Sequence, residues 1–447
     1  VSIKNSMGIP FYFASLIKSH RGITDSVKRG LPLEVDVLGV DFNCLIHRYL
    51  KEERPIESVV EAFAYLLEHV CKAKKVLIAL DGLVPYAKIV QQRYRRMRIK
   101  EETPFDRNLI SPDTPYMREL EAALAAKFPY AEISRTTSPG EGEHKLIVDM
   151  KKIPAEQRRT VCIYGLDADL ILICLQNKEL SDPGKMHLLR ESAEFDDPKL
   201  KTAEFATMNI WELSTQLPLP TEQYMALSIM CFGNDFMPNL GMFSLREDGY
   251  NRALHFYDES GRPDLLTPEG RHQFFKFSAS REMSVLKERI TLRKRPEEKA
   301  VLGKDQTEFS RKYGLHILDG VLDMEPVVEA YWKTMHWTWY YFTQSTPINW
   351  GWVYPYADAP LVSDIVKYAE TGVQKAKLNF TLSDQLHFIM PSSSLKKTRR
   401  RVKFPDELHN EETRNPWMKR HYWEMKPRIS LPWNPNDELT KIVPIVN

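Results

Sequence analysis

Val161-Cys-Ile-Tyr-Gly-Leu-Asp167-Ala-Asp169-Leu-Ile171 sets four apolar and aromatic residues ahead of two carboxylates, with only Gly165 and Leu166 between. A run this short and this apolar is what a strand buried on both faces needs. The pattern recurs twice: Val35 to Val40 leads into Asp41, and Val76 to Leu80 leads into Asp81. Three such runs read as central strands of a mixed, largely parallel α/β sheet flanked by helices. In open sheets of that kind ligands gather beyond the carboxyl ends of the strands. The acids are therefore expected to converge in space although they lie far apart in sequence.

Two further motifs, Ser138-Pro-Gly-Glu141-Gly-Glu143-His-Lys145 and Cys231-Phe-Gly-Asn-Asp235-Phe-Met-Pro238, complete a set of seven acids: Asp41, Asp81, Glu141, Glu143, Asp167, Asp169 and Asp235. Like charges held together repel, so a bare cluster would protonate or spread apart. Mg²⁺, or Mn²⁺ in its place, removes the difficulty, because these hard cations take oxygen ligands, keep waters and accept substrate phosphate. Seven carboxylates exceed what one ion needs. Two ions roughly 3.5–4 Å apart would share them, one activating water and the other steadying the departing oxygen. This is the layout of a metal-dependent nuclease. Taken singly, an Asp or Glu more often caps a helix or closes a turn, and for Asp81, just before Gly82, both roles stay open. The pairs are harder to explain that way. Residues two apart on a helix point about 200° apart, so each pair must straddle the end of an element. Pro139-Gly140 and the strand ahead of Asp167 supply such ends.

From Pro85 the chain reads Pro-Tyr-Ala-Lys88-Ile-Val-Gln-Gln92-Arg-Tyr-Arg95-Arg96. Proline suits a first helical turn, and the residues after it predict a helix. Lys88, Gln92, Arg95 and Arg96 form a polar stripe on it that begins seven residues after Asp81, which puts Lys88 one to two turns from the metal site. Arginine grips phosphate bidentately and lysine acts as a point charge, so a terminal phosphate bound beside the metal site is the functional reading. A solvated amphipathic face is the bland one.

Other helices show as 3.6-residue periodicity, in Glu57 to Val70, Met117 to Phe128 and Thr221 to Cys231. Ser280 to Glu308 is charged and poor in apolar residues, as a surface helix or linker would be. Pro326 to Phe342 is helical in pattern, and five of the nine tryptophans fall between Trp332 and Trp352. Such rings serve either as core or as a platform for stacked bases. The 447 residues exceed one ordinary domain, and a formal charge of only +2 means that any nucleic-acid surface must be a local patch. Lys88 to Lys100 supplies one. Lys396 to Lys403 is a second basic run, read as a groove wall, a nuclear localisation patch or a solvated loop. Five scattered cysteines make neither a disulfide framework nor a zinc pattern. Reduced thiols, with no signal peptide or long apolar run, point to an intracellular, cytoplasmic setting, with the nucleus as the alternative.

Taken in order, these motifs resemble those of the Xrn family of 5′→3′ exoribonucleases. Met7-Gly-Ile-Pro10 with Phe13, Asp41-Phe-Asn-Cys-Leu-Ile-His47, Asp81 to Lys88, Gln91 to Arg96, Pro139 to His144, Gly165 to Asp169 and Gly233 to Phe236 carry the likeness. So do Trp350-Gly-Trp-Val-Tyr-Pro-Tyr356, Ala359-Pro360, Ser363-Asp364 and the Trp423-Glu424 to Leu431-Pro432 tail. The resemblance implies a fold like that of PIN and flap nucleases, with a helical, aromatic-rich second region packed on it. It implies a 5′→3′ exoribonuclease that uses two Mg²⁺ ions and hydrolyses single-stranded, 5′-monophosphorylated RNA to 5′-mononucleotides. The seven acids match the family's metal-binding residues, and Lys88, Gln92, Arg95 and Arg96 match its 5′-phosphate pocket. His47 matches a histidine that stacks on the terminal base against a tryptophan, here Trp337, Trp350 or Trp352. The expected division is a nuclease core over 1–260, a charged spacer over 261–320 and the second region over 321–447. Only 114 residues separate Asp235 from Trp350, shorter than in eukaryotic relatives, so a compact, monomeric catalytic module is expected, recruited by decapping or endonucleolytic factors. Val1 to Ser6 reads as an extension ahead of the family-like start. Two rivals remain: a structure-specific 5′-flap nuclease, and a silent RNA-binding scaffold that would have no need of all seven acids.

Overall fold

The computed structural model describes residues 9, 11–96, 104–194, 200, 202–293, 301–318, 320–356 and 358–398. Met7, Gly8, Pro10, the Val1–Ser6 extension, the end of the first basic run, most of the second and the 423–432 tail lie outside the described residues, as does the side chain of Arg95.

Seven strands form one sheet: β1 (Thr24–Ser26), β2 (Leu33–Asp41), β3 (Cys71–Ala79), β4 (Glu132–Ser134), β5 (Val161–Tyr164), β6 (Met186–Glu191) and β7 (Phe205–Asn209). Their order is β1-β7-β6-β5-β2-β3-β4. From β6 across to β4 every neighbour is parallel, and only β7 with β6 and β1 with β7 pair antiparallel. The expected mixed, largely parallel sheet is what the chain forms. All three apolar runs are its strands, and helices carry the chain back between them, as parallel pairing demands.

Successive side chains of a strand point to opposite faces, and the two faces found different cores. Val37, Leu77, Ile163 and Leu188 meet Leu146, Ile147, Met150 and Leu170 on one side. Leu38, Val40, Ile78 and Tyr164 meet Phe42, Phe63, Leu120 and Leu124 on the other. No polar face is left on these strands, which is why they read as unbroken apolar runs rather than as alternation.

The first core does not stop at the sheet. It continues without a break into Phe274, Phe275, Tyr331, Trp337 and Phe342, so the aromatic helix Glu325–Gln344 is packed onto the nuclease half. The segment expected as a charged spacer contains a 26-residue helix, Pro268–Arg293. Its charges hid the reason it folds: Phe274 and Phe275 are fully buried, and a few large rings on one face suffice to anchor a long helix. A third, smaller core joins Tyr86, Ile89 and Val90 of the Tyr86–Arg96 helix to Leu386, Phe388, Ile389 and Leu395. No helix among the described residues is long and apolar enough to cross a membrane, and all five cysteines are buried and unbridged.

Candidate active site

Asp41 is the last residue of β2, and the register sets Asp41 beside Ala79 of β3 and Val40 beside Tyr164 of β5. Three carboxyl ends are therefore level. Asp81 follows β3 by two residues, Asp167 follows β5 by three, and Asp169 opens the helix Asp169–Gln176. Glu141 stands at the start of the helix Gly142–Lys151 and Glu143 lies in its first turn. A Cβ on Gly142 would lie 2.8 Å from Asp41 Oδ1, so only glycine lets that helix come so close to β2. Asp235 leaves the helix Thr221–Phe232 through Gly233, whose φ of +68° favours glycine. The structure thus brings the acids of all five motifs to one end of the sheet. Six of them are buried, and Asp81 is half-buried.

Their partners divide them. Asp81 is committed on both oxygens: Oδ1 accepts from the Gly142 N–H at 2.8 Å and Oδ2 from Asn43 Nδ2 at 3.0 Å. Both bonds reach beyond its own turn, to the first N–H of the Gly142–Lys151 helix and to Asn43. Asp41 Oδ2 accepts the Cys44 thiol at 2.8 Å. Glu141 Oε1 accepts the Tyr341 hydroxyl at 2.7 Å, and its Oε2 lies 2.6 Å from Lys88 Nζ. Lys88 Nζ is also 2.7 Å from Asp235 Oδ2. By contrast Glu143 Oε2, Asp169 Oδ1 and both ring nitrogens of His144 are buried with no hydrogen-bond partner among the described residues.

Burial first, and the neighbouring carboxylates second, hold Asp41, Glu143 and Asp169 well above the usual carboxylate range. Glu141 is also raised by burial, with Lys88 opposing. Burial pulls Lys88 down, but Asp235, Glu141, Asp167 and Asp169 outweigh it and raise its ammonium well above the ordinary value. Desolvation, with Lys88 nearby, lowers His144 to about 3, so its ring is neutral and able to donate a lone pair.

Two sets of side chains are close enough to hold a metal ion: Glu143, Asp167 and Asp169, and Glu141, Glu143 and His144, each with ligand atoms within 4.8 Å of one another. Buried oxygens left without donors are a cation's requirement, and the first, all-oxygen set has the donor chemistry of a hard divalent ion. The sites fit divalent metal.

A cavity of ≈ 280 Å³ opens from the acids. Asp41, Asp81, Glu141, Glu143 and Asp167 line it together with Gln92, Arg96, Arg107 and Asn108, with Lys88 between the two groups and His47 at the wall. The solvated-face reading of the basic helix does not hold for Lys88 and Gln92, which are buried with the adjacent Arg93. Arg93 donates to the Phe388 carbonyl and lies over the Phe388 ring. Lys88 is drawn further into the carboxylates than a free phosphate-binding cation would be. Arg96 spends two donors on the Asn108 and Ile110 carbonyls, each at 3.0 Å. Among the tryptophans, Trp337 is fully enclosed against Phe236 and Tyr341, with its N–H donated to Asn349. It has no face to offer a base, because its helix turns it into the shared core. Trp350 and Trp352 are half-buried and do not line the cavity, while His47 is exposed.

Sequence reasoning missed Asn43, Tyr341, Arg107 and Arg190. Asn43, two residues after Asp41, had a signal in its spacing. Arg190 is buried and donates to the Asp167 carbonyl at 2.8 Å. Nothing local marks it, Tyr341 or Arg107.

Comparison with known proteins falls on the same regions. The model described as XRN 5′-3′ exonuclease N-terminus matches residues 7–103 and 98–192, and that described as Xrn1 helical domain matches residues 309–400. The 5′-3′ exoribonuclease 2 of Emericella nidulans is 27% identical over 391 residues, covering 59% of this chain and 38% of its own length. The 5′-3′ exoribonuclease 1 of Saccharomyces cerevisiae is 26% identical over 324 residues, covering 57% of this chain and 21% of its own. The chain thus spans well under half the length of these relatives. Among solved structures, the catalytic core of Rad2 in complex with DNA substrate superposes with a TM-score of 0.36 at 14% identity, over 74% of this chain and 84% of that one. At that score the likeness adds nothing to the sheet already described.

Proposed function

The chain belongs to the Xrn family of 5′→3′ exoribonucleases, and from that premise we propose that it removes nucleotides one at a time from the 5′-monophosphate end of single-stranded RNA, releasing 5′-mononucleotides. The observation that carries this reading is the cavity itself. Five of the acids share one space with Lys88, Gln92, Arg96 and His47, so on this reading the cations take a terminal phosphate while the acids act on the next phosphodiester.

Two Mg²⁺ ions, for which Mn²⁺ substitutes, supply Lewis-acid charge and an ionised water when bound. Glu143, Asp167 and Asp169 would hold one and Glu141 with His144 the other, with Asp41, Asp81 and Asp235 completing the shells. Lys88, paired with Glu141 and Asp235, would lose those partners where the two carboxylates turn to a divalent cation, and its ammonium would then be available to a phosphate beside Gln92 and Arg96. Arg95 belongs to the same phosphate-binding set. Tyr341 and the Gly142 N–H hold Glu141 and Asp81 in fixed orientations, so little reorganisation is left to substrate binding. His47 stacks on the first base, with Trp350 or Trp352 as partner after movement of the second region. Stacking contributes about 1–3 kcal/mol per base and tolerates any sequence, as an unselective exonuclease requires. The enzyme is a cytoplasmic monomer fed by decapping or endonucleolytic cleavage.

The test is product analysis on one labelled RNA bearing a 5′-phosphate, 5′-hydroxyl or 5′-triphosphate, in Mg²⁺ and in EDTA. The expected result is Mg²⁺-dependent mononucleotide release from the monophosphate alone. Internal cuts at branched ends would make it a flap nuclease, and binding without products would make it a scaffold. His47→Phe should keep progress along the RNA while His47→Ala scatters intermediates. Equal damage from both would replace stacking by a polar contact.

A further inference from the structure

Arg107 lines the same cavity as Gln92 and Arg96, yet its side chain has no hydrogen-bond or ion-pair partner among the described residues. The other cations of that wall are occupied, Lys88 by Glu141 and Asp235 and Arg96 by two backbone carbonyls. The neighbouring carboxylate, Asp106, does not neutralise Arg107. One of its oxygens accepts the Asn108 N–H at 3.0 Å and the other pairs with Lys397 at 3.0 Å.

The turn that carries Arg107 is braced from every side. Arg96 holds it from the helix, Asn108 Nδ2 donates to Ser394 Oγ at 3.0 Å, and Ser111 Oγ donates to the Asn108 carbonyl at 2.6 Å. Arg96 and Ser111 hold the backbone and Ser394 the Asn108 side chain, while the Arg107 guanidinium faces a polar cavity. A half-exposed arginine is ordinarily a solvated surface group, but such groups sit on convex surface and need no such bracing. The fork of a guanidinium matches a phosphate bidentately. The cavity, at ≈ 280 Å³, lies just below the ~300–1,000 Å³ typical of small-ligand sites. That suits one terminal nucleotide rather than a strand passing through.

We propose that Arg107 is a phosphate-binding residue of the cavity, gripping the 5′-terminal phosphate opposite Gln92 and Arg96. The proposal rests on the exonuclease reading and adds to it a contact from outside the Tyr86–Arg96 helix. It also gives Arg96 a second role, that of holding the turn in place.

The experiment titrates adenosine 5′-monophosphate and adenosine into wild type, Arg107→Ala and Arg107→Lys in Mg²⁺, by calorimetry, with a melt of each protein. Wild type should prefer the monophosphate. Arg107→Ala should bind it about ten-fold more weakly, as loss of a charge-assisted contact implies, with adenosine affinity and melting temperature unchanged. Arg107→Lys should recover part of the loss. If Arg107→Ala binds the monophosphate as wild type does, or weakens for both ligands alike, the assignment is overturned while the pocket stands. If wild type itself shows no preference for the phosphate, the 5′-phosphate reading falls, and this one with it.

Discussion

At one end of the cavity, Asp41, Asp81 and Asp167 stand just beyond β2, β3 and β5, fixed by the register of a sheet buried on both faces. At the other, Gln92, Arg96 and Arg107 stand on a helix and a turn whose own supports, Phe388, Ser394 and Lys397, come from near the end of the described chain. The acidic end inherits its precision from strand pairing. The basic end has to be assembled from pieces that are independent until the residues near 388–397 have joined them. On the proposed reading, chemistry that must be held to a fraction of an ångström sits on the first, and recognition of a flexible end on the second.

The contrast breaks most visibly if the strand-end acids prove dispensable. Asp167→Ala or Asp235→Ala should cost about a thousandfold or more in turnover while the protein still melts cooperatively, since removing a repelling carboxylate need not unfold it. Mg²⁺-dependent turnover near the wild-type rate in either variant would dissolve the comparison.

Lys88 sits on the border between the ends. In metal-free protein its ammonium is the counter-charge of Glu141 and Asp235, so Lys88→Ala should destabilise by about 3–5 kcal/mol, the cost of stranding buried charge. Saturating Mg²⁺ should return much of that loss. Melts in EDTA and in Mg²⁺ decide it, and an equal loss in both would make Lys88 a packing residue.

Tyr341→Phe deletes one hydrogen bond to the buried Glu141 carboxylate, worth about 1.5–3 kcal/mol. Metal affinity should fall several-fold in a Mg²⁺ titration of activity. A lower melting temperature with unchanged metal dependence would reduce Tyr341 to a filler between regions.

The smallest effect is a control remote from both ends. Burial raises Glu282 to about 7, against the opposing N–H groups of Val362 and Ser363. Between the ordinary carboxylate value and about 7 the folded state keeps a proton that the unfolded chain has lost, so this contribution to stability declines as pH rises through that window. Urea midpoints at pH 5 and 7.5 should diverge in wild type and converge in Glu282→Gln. A divergence unchanged by the substitution would assign it to the site acids instead.

The two ends also differ in how much the sequence discloses. Strands buried on both faces must be apolar throughout, so Val35 to Val40, Val76 to Leu80 and Val161 to Tyr164 are legible, and the acids after them with them. The helix Tyr86–Arg96 was legible as a helix, but its polar residues read as a stripe. Their burial depends on residues near 388 and 395, which no local pattern connects to it. Charge concealed the Pro268–Arg293 helix for the same reason, since two phenylalanines outweigh many solvated side chains. Arg107 and Tyr341 were invisible because their roles consist of distances to residues elsewhere in the chain.

The hydrogen bond between Tyr341 and Glu141 spans 200 positions of sequence. The sheet and its acids are complete at Asp235, 106 positions before Tyr341. A ribosome adds about 5–20 residues per second, so they exist in the nascent chain for about 5–20 s before the hydroxyl that orients Glu141 has been synthesised. The nuclease half is made first and finished last. A protein arranged in this way reaches its working geometry only once its second region has been made.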